Sequence, residues 1–477
     1  MKILKSNCKN TILRNLLVFM LISFQFSCEN AIETDIKDEI TKDNVFNTVN
    51  DLEDGINGVY TVYNPEFAIQ FTAYFTDNVN LGPNNTGENE NIHEMVINVD
   101  DPLITAIYSS NYQVISFANR LLEGADRVIP TTAEEEVRKD RVIGEALALR
   151  ALAHFELLTY FSTSYDINAL AVPYVDYTTI FGQPARNTVG ELVANINEDI
   201  TRAENLIGQS PSVSRDRVSV DMLLALRSRM ALYLGNLENA VAFSTELIQR
   251  YPLATPQQYF AMFQDFSEEE VIFKAQRRPG DLFAPPFIFF SNNGIIYNLS
   301  NGLFDALQES GLDDVRSQVL INPQSSTTNL IVNKYPGSEG SIAINDVKVF
   351  RVSEQYLILA EALALQEDFE NAALFLNQLR ESRKNPNTPP LQFTTIPEAI
   401  ETILAERRIE LAYEGFRFID LKRTRAITGK GIERDPRDCG GKVSCGISST
   451  DFRFTLPIPQ NELDGNPVIR EQQNPGY

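Results

Sequence analysis

The chain contains no tryptophan, only two histidines and only four cysteines in 477 residues. Its two histidines, His93 and His154, leave little material for a histidine-based catalytic triad or a His-rich metal site. No GxSxG, HExxH, phosphate-cradling glycine loop or dinucleotide fingerprint is present. Carboxylate pairs for glycoside hydrolysis are available among the 64 acidic residues, but no enzyme signal rises above this background.

Acidic residues outnumber basic ones by 64 to 41, which gives a formal net charge of −23. A body this acidic repels nucleic acid and anionic lipid head groups. We therefore expect no nucleic-acid partner, and any membrane contact should come from a lipid anchor. The Asp-rich loops lack EF-hand spacing, so we predict neither a metal nor another cofactor.

The amino terminus has the pattern of a secretory signal, with four basic residues before a short apolar run, Leu16–Ile22. This run falls far short of the roughly 20 apolar residues that span a bilayer. Cys28 lies just beyond it and is expected to be the lipidated (palmitate-bearing) residue of a bacterial lipoprotein. The alternative is ordinary secretion with Cys28 merely nearby. We assign residues 1–27 to the signal peptide and residues 28–45 to a lipidated acidic tether.

Two further cysteines, Cys439 and Cys445, enclose a short glycine-containing stretch. In an oxidising envelope compartment we expect them to form a disulfide. A zinc site is the less favoured alternative, because no second cysteine pair or histidine lies near them in sequence.

Helical periodicity dominates the rest of the chain. Apolar residues recur at spacings of three and four over residues 223–234, Gly235 interrupts the run, and a second helix is expected from about Glu238. A similar helix pair is predicted over residues 356–379. Small residues at expected helix crossings and a closing proline are typical of tetratricopeptide pairs.

Two other segments predict a further helix pair. Residues 144–155 form the first helix, and residues 187–207, capped by Thr188, form the second. In contrast, residues 77–94 and the region from about 252 to 336 are irregular and rich in asparagine, glycine and aromatic residues. Long loops held by a rigid frame are where binding sites tend to lie.

One helix, within residues 405–423, carries several charges on an otherwise apolar segment. Glu406 and Glu410 could be interpreted as an acid/base pair. We favour a structural ion network in which arginine side chains clamp carboxylates of neighbouring elements. Gly415 is then expected to stop the helix.

Several blocks, in order along nearly the whole chain, are similar to the SusD/RagB family of outer-membrane nutrient-uptake lipoproteins. The most specific block is the ERRIELAYEGFR segment, and the chain ends on the family's NPGY pattern. The blocks that carry the resemblance are residues 48–60, 111–119, 145–157, 405–423, 456–459 and 473–477.

The resemblance implies an all-α, SusD-like α/α fold, in which a TPR-like scaffold of helix pairs carries large irregular loop insertions. Residues 46–330 are expected to form the N-terminal SusD-like region with the TPR-like units and the ligand loops. Residues 331–477 are expected to form the C-terminal RagB/SusD region, packed with the first region as one body.

The resemblance also implies that ligands bind among the loops that leave the scaffold. Because the chain has no tryptophan, it must use phenylalanine and tyrosine to stack against sugar rings, which also raises the prospect of an oligopeptide ligand. The candidate ligand-binding residues are Phe75, Asp77, Asn78, Asn80, Phe287, Phe289, Phe290, Asn292, Asn293 and Tyr297.

The function that the resemblance implies is a surface-exposed, lipid-anchored protein of the outer membrane. It would bind a glycan or oligopeptide and deliver it to a SusC-like TonB-dependent barrel, without chemical change to the ligand. The alternatives are a surface carbohydrate-active hydrolase, which would shorten oligosaccharides, and a purely structural tetratricopeptide scaffold, which would bind no soluble ligand.

Overall fold

The helices follow the periodicity of the sequence. A computed structural model describes residues 45–179, 181–208, 214–278, 289–291, 294–311, 313–337, 344–383, 389–439 and 444–477. Its α-helices are α1 (Val49–Val62), α2 (Glu66–Phe75), α3 (Glu90–His93), α4 (Pro102–Ala125), α5 (Ala133–Phe161), α6 (Val189–Ile207), α7 (Val220–Tyr233), α8 (Leu237–Arg250), α9 (Pro256–Met262), α10 (Asn301–Ser310), α11 (Val315–Leu320), α12 (Val352–Leu365), α13 (Phe369–Arg383), α14 (Ile396–Glu410), α15 (Arg417–Thr428), α16 (Gln460–Gly465) and α17 (Pro467–Arg470).

The strands are short and pair antiparallel, two by two. They are β1 (Val79–Leu81) with β5 (Tyr297–Leu299), β2 (Val271–Ala275) with β6 (Val347–Arg351), β3 (Phe290–Ser291) with β4 (Gly294–Ile295), and β7 (Ile432–Glu433) with β8 (Gly446–Ile447). Two of these pairs, β1 with β5 and β2 with β6, join segments that are distant in sequence. They therefore fasten the irregular loops to one another and to the helices.

The two predicted tetratricopeptide-like units are α7 with α8 and α12 with α13. Each pair turns at a left-handed residue, Gly235 (φ 74°) in the first and Glu367 (φ 65°) in the second. Helix α8 also packs against α12, so the two units stack on each other. Stacking buries the apolar faces that one pair alone leaves exposed.

Helices α5 and α6 form another close pair. Thr188 caps α6 in a capping box with Glu191, as the sequence indicates. Gly144 lies where the helices approach most closely, because a Cβ atom there would be 2.7 Å from Ile207 Cγ1 and 3.2 Å from the Ala203 carbonyl oxygen. Any larger residue would push α5 and α6 apart.

The fold class predicted from the sequence is confirmed: the protein is mostly helical, with TPR-like helix pairs and long irregular insertions. Helix α14 ends at Glu410, however, so the stop comes before Gly415, which lies at φ 90° in the turn leading to α15. Residues 46–477 form one compact unit. The signal peptide, Cys28 and most of the tether lie outside the described residues. No helix among the described residues has the length and apolar character needed to cross a membrane.

Candidate functional site

The two loops in which the sequence predicts ligand contacts come together in the structure. Strand β1 of the first loop pairs with β5 of the second, which places Asn80 opposite Asn298 and Leu81 opposite Tyr297. We call this two-stranded element the ribbon. Past the ribbon, Asn84 Oδ1 accepts a hydrogen bond of 3.2 Å from the Ile295 backbone N–H. Distant parts of the sequence thus build a single structural element.

Five of the predicted ligand residues are buried rather than presented to solvent. They are Phe75, Asp77, Asn78, Phe289 and Tyr297. Tyr297 stacks on Tyr74 with ring centroids 3.9 Å apart, and Phe289 packs against Tyr413 at 4.8 Å. The structure therefore corrects the prediction at these positions: the rings of Phe75, Phe289 and Tyr297 belong to the core and offer no face to a soluble ligand, and the polar side chains of the other two are buried as well.

Asp77 shows why a loop carboxylate can be a structural group. Arg417 grips its two oxygens at 2.8 and 2.9 Å, and Arg408 lies 3.2 Å away. Burial opposes the ionisation of Asp77, but the two guanidinium groups outweigh it and hold its pKa well below the usual range. The adjacent Asn78 accepts a hydrogen bond of 3.1 Å from Arg408 Nε. This corner fixes the loop to α14 and α15.

Two candidates remain partly accessible. Phe290 is half-buried on β3, and the half-buried Asn80 donates a hydrogen bond of 2.7 Å to Asp438 Oδ1. Asp438 precedes Cys439, whose sulfur is bonded to that of Cys445, with Cα atoms 5.3 Å apart. The candidates Phe287, Asn292 and Asn293 lie outside the described residues. Ligand contact by Asn80 and Phe290 stays a prediction.

Both histidines are buried. Burial, with the nearby Arg434 guanidinium, lowers the pKa of His93 to about 3, and burial lowers that of His154 to about 3. Each ring is therefore neutral at physiological pH. Neither histidine is placed to touch a soluble ligand.

The charges of the 405–423 segment form a buried network, as the structural interpretation predicts. Glu410 lies 3.0 Å from Arg383 Nε, 3.0 Å from Arg351 Nη1 and 3.5 Å from Arg316 Nη1. The partners lie on other elements and not along α14 itself. We call this set the Glu410 network; its members are Glu270, Arg316, Arg351, Arg383, Glu406, Glu410 and Glu414.

A wide cleft of about 760 Å³ lies away from the ribbon, at the other end of α2. Its walls are the end of α1, the start of α2, the first half of α4 and the residues that follow β2. The volume falls in the range of about 300–1,000 Å³ that is typical of small-molecule sites. We call this feature the cleft.

Aromatic rings and neutral polar groups line the cleft. Tyr60 and Phe67 are partly buried, so each keeps an accessible surface, whereas Tyr63 and Phe273 form the floor. Amide and hydroxyl groups surround them, from Asn57, Thr61, Asn64, Ser109, Ser110, Gln113 and Gln276. Accessible aromatic surface beside convergent hydrogen-bonding groups suits a ligand with both apolar and hydroxylated faces.

The cleft wall is held in place by ion pairs between its cations and carboxylates that do not line the cleft. Arg277 Nη2 lies 2.6 Å from Glu66 Oε2. Lys274 lies 2.9 Å from Asp346; burial opposes its charge, but hydrogen bonds to Glu268 and Asp346 outweigh this and raise its pKa to about 12. These pairs fix the strand end that forms one wall.

Tyr63 lies between the cleft and a second, much smaller pocket. Its hydroxyl donates a hydrogen bond of 2.8 Å to Glu156 Oε1. Burial raises the pKa of Glu156 to about 7, although the Tyr63 hydrogen bond acts in the opposite direction. Glu156 is thus largely protonated below neutral pH.

In the part of the chain that the structure describes, no group of three His, Cys, Asp or Glu side chains is arranged to hold a metal ion.

Sequence reasoning missed the cleft. Its walls come from the end of α1, the start of α2, the first half of α4, a turn at Arg217 and the end of β2, and only β2 and the residues after it lie in a stretch that the sequence marks as irregular. The one local signal is the spacing of Tyr60, Tyr63 and Phe67 across the break between α1 and α2. That spacing also fits ordinary core packing, so it could not identify the cleft alone.

Comparison with known proteins places this geometry in a family. The model of the SusD family matches residues 318–477, and that of the family described as "Starch-binding associating with outer membrane" matches residues 34–232. A SusD-like protein of Formosa agariphila is 24% identical, over 97% of this chain and 98% of its own length.

Solved structures agree with this assignment. The crystal structure of a putative sugar binding protein from Bacteroides vulgatus has a TM-score of 0.77 and 25% identity, and covers 91% of this chain and 99% of its own. Surface glycan-binding protein A from Bacteroides thetaiotaomicron, solved with laminarihexaose, shares the fold at a TM-score of 0.68 and 17% identity, over 90% of this chain and 99% of its own. The chain belongs to the SusD/RagB family.

Proposed function

We propose that this protein binds a glycan in the cleft and makes no covalent change to it. The observation that carries the proposal is the cleft itself, where the accessible rings of Tyr60 and Phe67 lie among neutral hydrogen-bonding groups on a rigid wall. Aromatic rings pack on the apolar faces of sugar rings, while amides and hydroxyls bind their hydroxyl groups. Relatives described as sugar binding, starch-binding and glycan-binding support this ligand class.

The proposed place of action is the outer membrane. Cys28 would carry the lipid anchor, and the acidic tether would hold the folded unit at the cell surface. From there the protein would cover a SusC-like TonB-dependent barrel and pass its ligand into the lumen. The family description "associating with outer membrane" supports the location. Gentle detergent extraction of membranes tests the partner: a barrel protein should co-purify, and its absence would contradict this role.

Calorimetry against a panel of oligosaccharides tests the binding proposal. Phe67→Ala should weaken binding about tenfold, because it removes a ring face from the cleft. Phe67→Leu keeps most of the apolar volume and should also weaken binding, which separates stacking from packing. Phe266→Ala, at a ring that is 63% exposed outside the cleft, is the matched control and should bind as the wild type does.

Three results would contradict the proposal. Shortened products after incubation with oligosaccharides would favour the alternative, a carbohydrate-active hydrolase. Binding of oligopeptides but of no glycan would assign the cleft to the other ligand class. Unchanged affinity in both Phe67 variants would move the site away from the cleft.

A further inference from the structure

The charged side chains that line the cleft are mostly cationic, whereas the whole protein has a net negative charge. The chain has 41 basic and 64 acidic residues, yet its described cleft lining holds four cations and a single carboxylate, Asp216. The cations are Arg217, Lys274, Arg277 and Arg278. Glu66, Glu145 and Asp346, which pair with three of these cations, are largely buried and do not line the cleft. A ligand in the cleft therefore meets N–H donors first.

Two of these cations serve mainly to build the wall. Arg277 is held by Glu66, and Lys274 by Glu268 and Asp346. Their side chains are only 7% and 12% exposed. Because three carboxylates pair with these two cations, the pairs add no net positive charge to the wall and leave few free donor positions.

The other two cations are accessible. Arg217 is 34% exposed, and its guanidinium lies 4.6 Å from the centre of the Tyr60 ring. Arg278 is exposed and hydrogen-bonds to Gln276 Oε1 at 3.1 Å. Both line the same cleft as the accessible aromatic rings. A planar guanidinium beside an aromatic face can bind a charged substituent while the ring packs on the sugar.

Arg217 is also incompletely neutralised. It shares one carboxylate, Glu145, with Arg141: the two guanidinium groups lie 3.3 and 2.9 Å from it. The Tyr60 hydroxyl donates to the same carboxylate at 3.0 Å. Because Glu145 is shared by Arg141 and Arg217, and Asp216 is the one carboxylate in the described lining, Arg217 can still attract an incoming anion.

We propose that the cleft selects oligosaccharides that carry anionic substituents, a carboxylate or a sulfate, and that Arg217 and Arg278 bind those groups. This inference rests on the proposed glycan-binding function and names its ligand class. Arginine is well suited to the task because its fork of donors matches the paired oxygens of carboxylates and sulfates. The strong negative charge of the remaining chain disfavours anions elsewhere on the surface, which restricts their binding to the cleft.

Calorimetry with matched ligands tests the proposal. Three oligosaccharides of one length are compared: a neutral one, one that contains uronic acids, and one that is sulfated. We expect at least tenfold tighter binding of one or both anionic ligands than of the neutral one. Raising the salt concentration should weaken binding of the anionic ligand only, because salt screens the charge interaction.

Variants of the two arginines test whether these side chains cause the tighter binding of anionic ligands. Arg217→Gln and Arg278→Gln should each weaken binding of the anionic ligand about tenfold, and by a clearly larger factor than binding of the neutral one. Arg250→Gln is the matched control, since Arg250 is 42% exposed and lies on α8 outside the cleft. Circular dichroism shows that each variant is folded.

Failure of this inference is distinguishable from failure of the proposed function. If no glycan of any kind binds, both the proposed glycan-binding function and the anionic selectivity are overturned. If glycans bind, but anionic and neutral ligands bind equally or the arginine variants retain full affinity, only the anionic selectivity is overturned. An acidic peptide such as oligoglutamate that binds more tightly than every anionic glycan would also overturn it, because the cleft would then recognise a different class of molecule.

Discussion

Two regions of the molecule are rich in arginine, and they use it in opposite ways. In the Glu410 network, Arg316, Arg351 and Arg383 are almost completely buried, and carboxylates surround them. In the cleft, Arg217 and Arg278 keep access to solvent, and Glu145, the carboxylate that pairs with Arg217, is buried and does not line the cleft. Arginine content alone therefore does not reveal a binding site. What distinguishes the two regions is whether the guanidinium group stays accessible to solvent after its carboxylate partner is bound.

The largest effect is expected from breaking the buried network. Glu410→Gln removes a carboxylate that arginines from three other elements contact. Removing one partner of a buried ion network costs about 3–5 kcal/mol, because the remaining charges lose their compensation. Urea denaturation should show this loss in the free energy of unfolding.

A surface pair provides the control for that substitution. Glu401 lies 2.9 Å from Lys430, with both side chains at least 40% exposed. Glu401→Gln should change the free energy of unfolding by less than about 0.5 kcal/mol. Equal effects at Glu401 and Glu410 would mean that the buried network adds no stability beyond an ordinary surface pair.

An intermediate effect is expected at Glu156, beside the wall between the cleft and the core. Its pKa is raised to about 7 in the folded protein, against an ordinary value of 4.5. Its contribution to stability is therefore complete below about pH 4.5 and is lost as the pH rises through 7. Glu156→Gln mimics the protonated form and should stabilise the protein by about 2 kcal/mol at pH 8.

The pH dependence of that gain is the sharper test. The difference in the free energy of unfolding between Glu156→Gln and the wild type should shrink toward zero near pH 4. At that pH the Glu156 carboxyl of the wild type is protonated in both the folded and the unfolded state. Thermal unfolding followed across pH 4–8 measures it. A difference that does not vary with pH would contradict the raised pKa of Glu156.

The smallest effect on stability is expected in the cleft. Arg217→Gln should change the free energy of unfolding by less than about 1 kcal/mol, because a partly exposed ion pair is weak. Arg141 remains 2.9 Å from Glu145 and keeps this carboxylate paired. The same variant should lose anionic ligand binding, which sharpens the contrast with Glu410. A loss of several kcal/mol would make Arg217 a structural residue.

The sequence predicted those parts of the fold that depend on local pattern. The Thr188 cap and the apolar spacing that follows it predict α6, and the structure confirms its start at Val189. The Gly235 interruption correctly separates α7 from α8. Caps and periodicity act within a few residues, so they can be read without knowledge of the tertiary structure.

Burial of the loop residues could not be predicted in the same way. Asp77 is buried because Arg417 meets it, and Tyr297 because Tyr74 stacks on it. Each partner comes from a distant part of the chain, so the loop sequence alone shows only a polar, aromatic segment. The cleft could not be predicted from the sequence for a related reason. Its excess of cationic over acidic lining residues exists only when the fold brings Arg217 and the end of β2 to the same wall.

Hydrogen–deuterium exchange of the protein with its tightest-binding oligosaccharide tests the central claim, that the cleft is the ligand site. The account predicts that ligand slows exchange in peptides covering residues 57–67 and 271–278, which form the cleft walls. Protection confined to residues 80–90 and 294–301, around the ribbon, would contradict it.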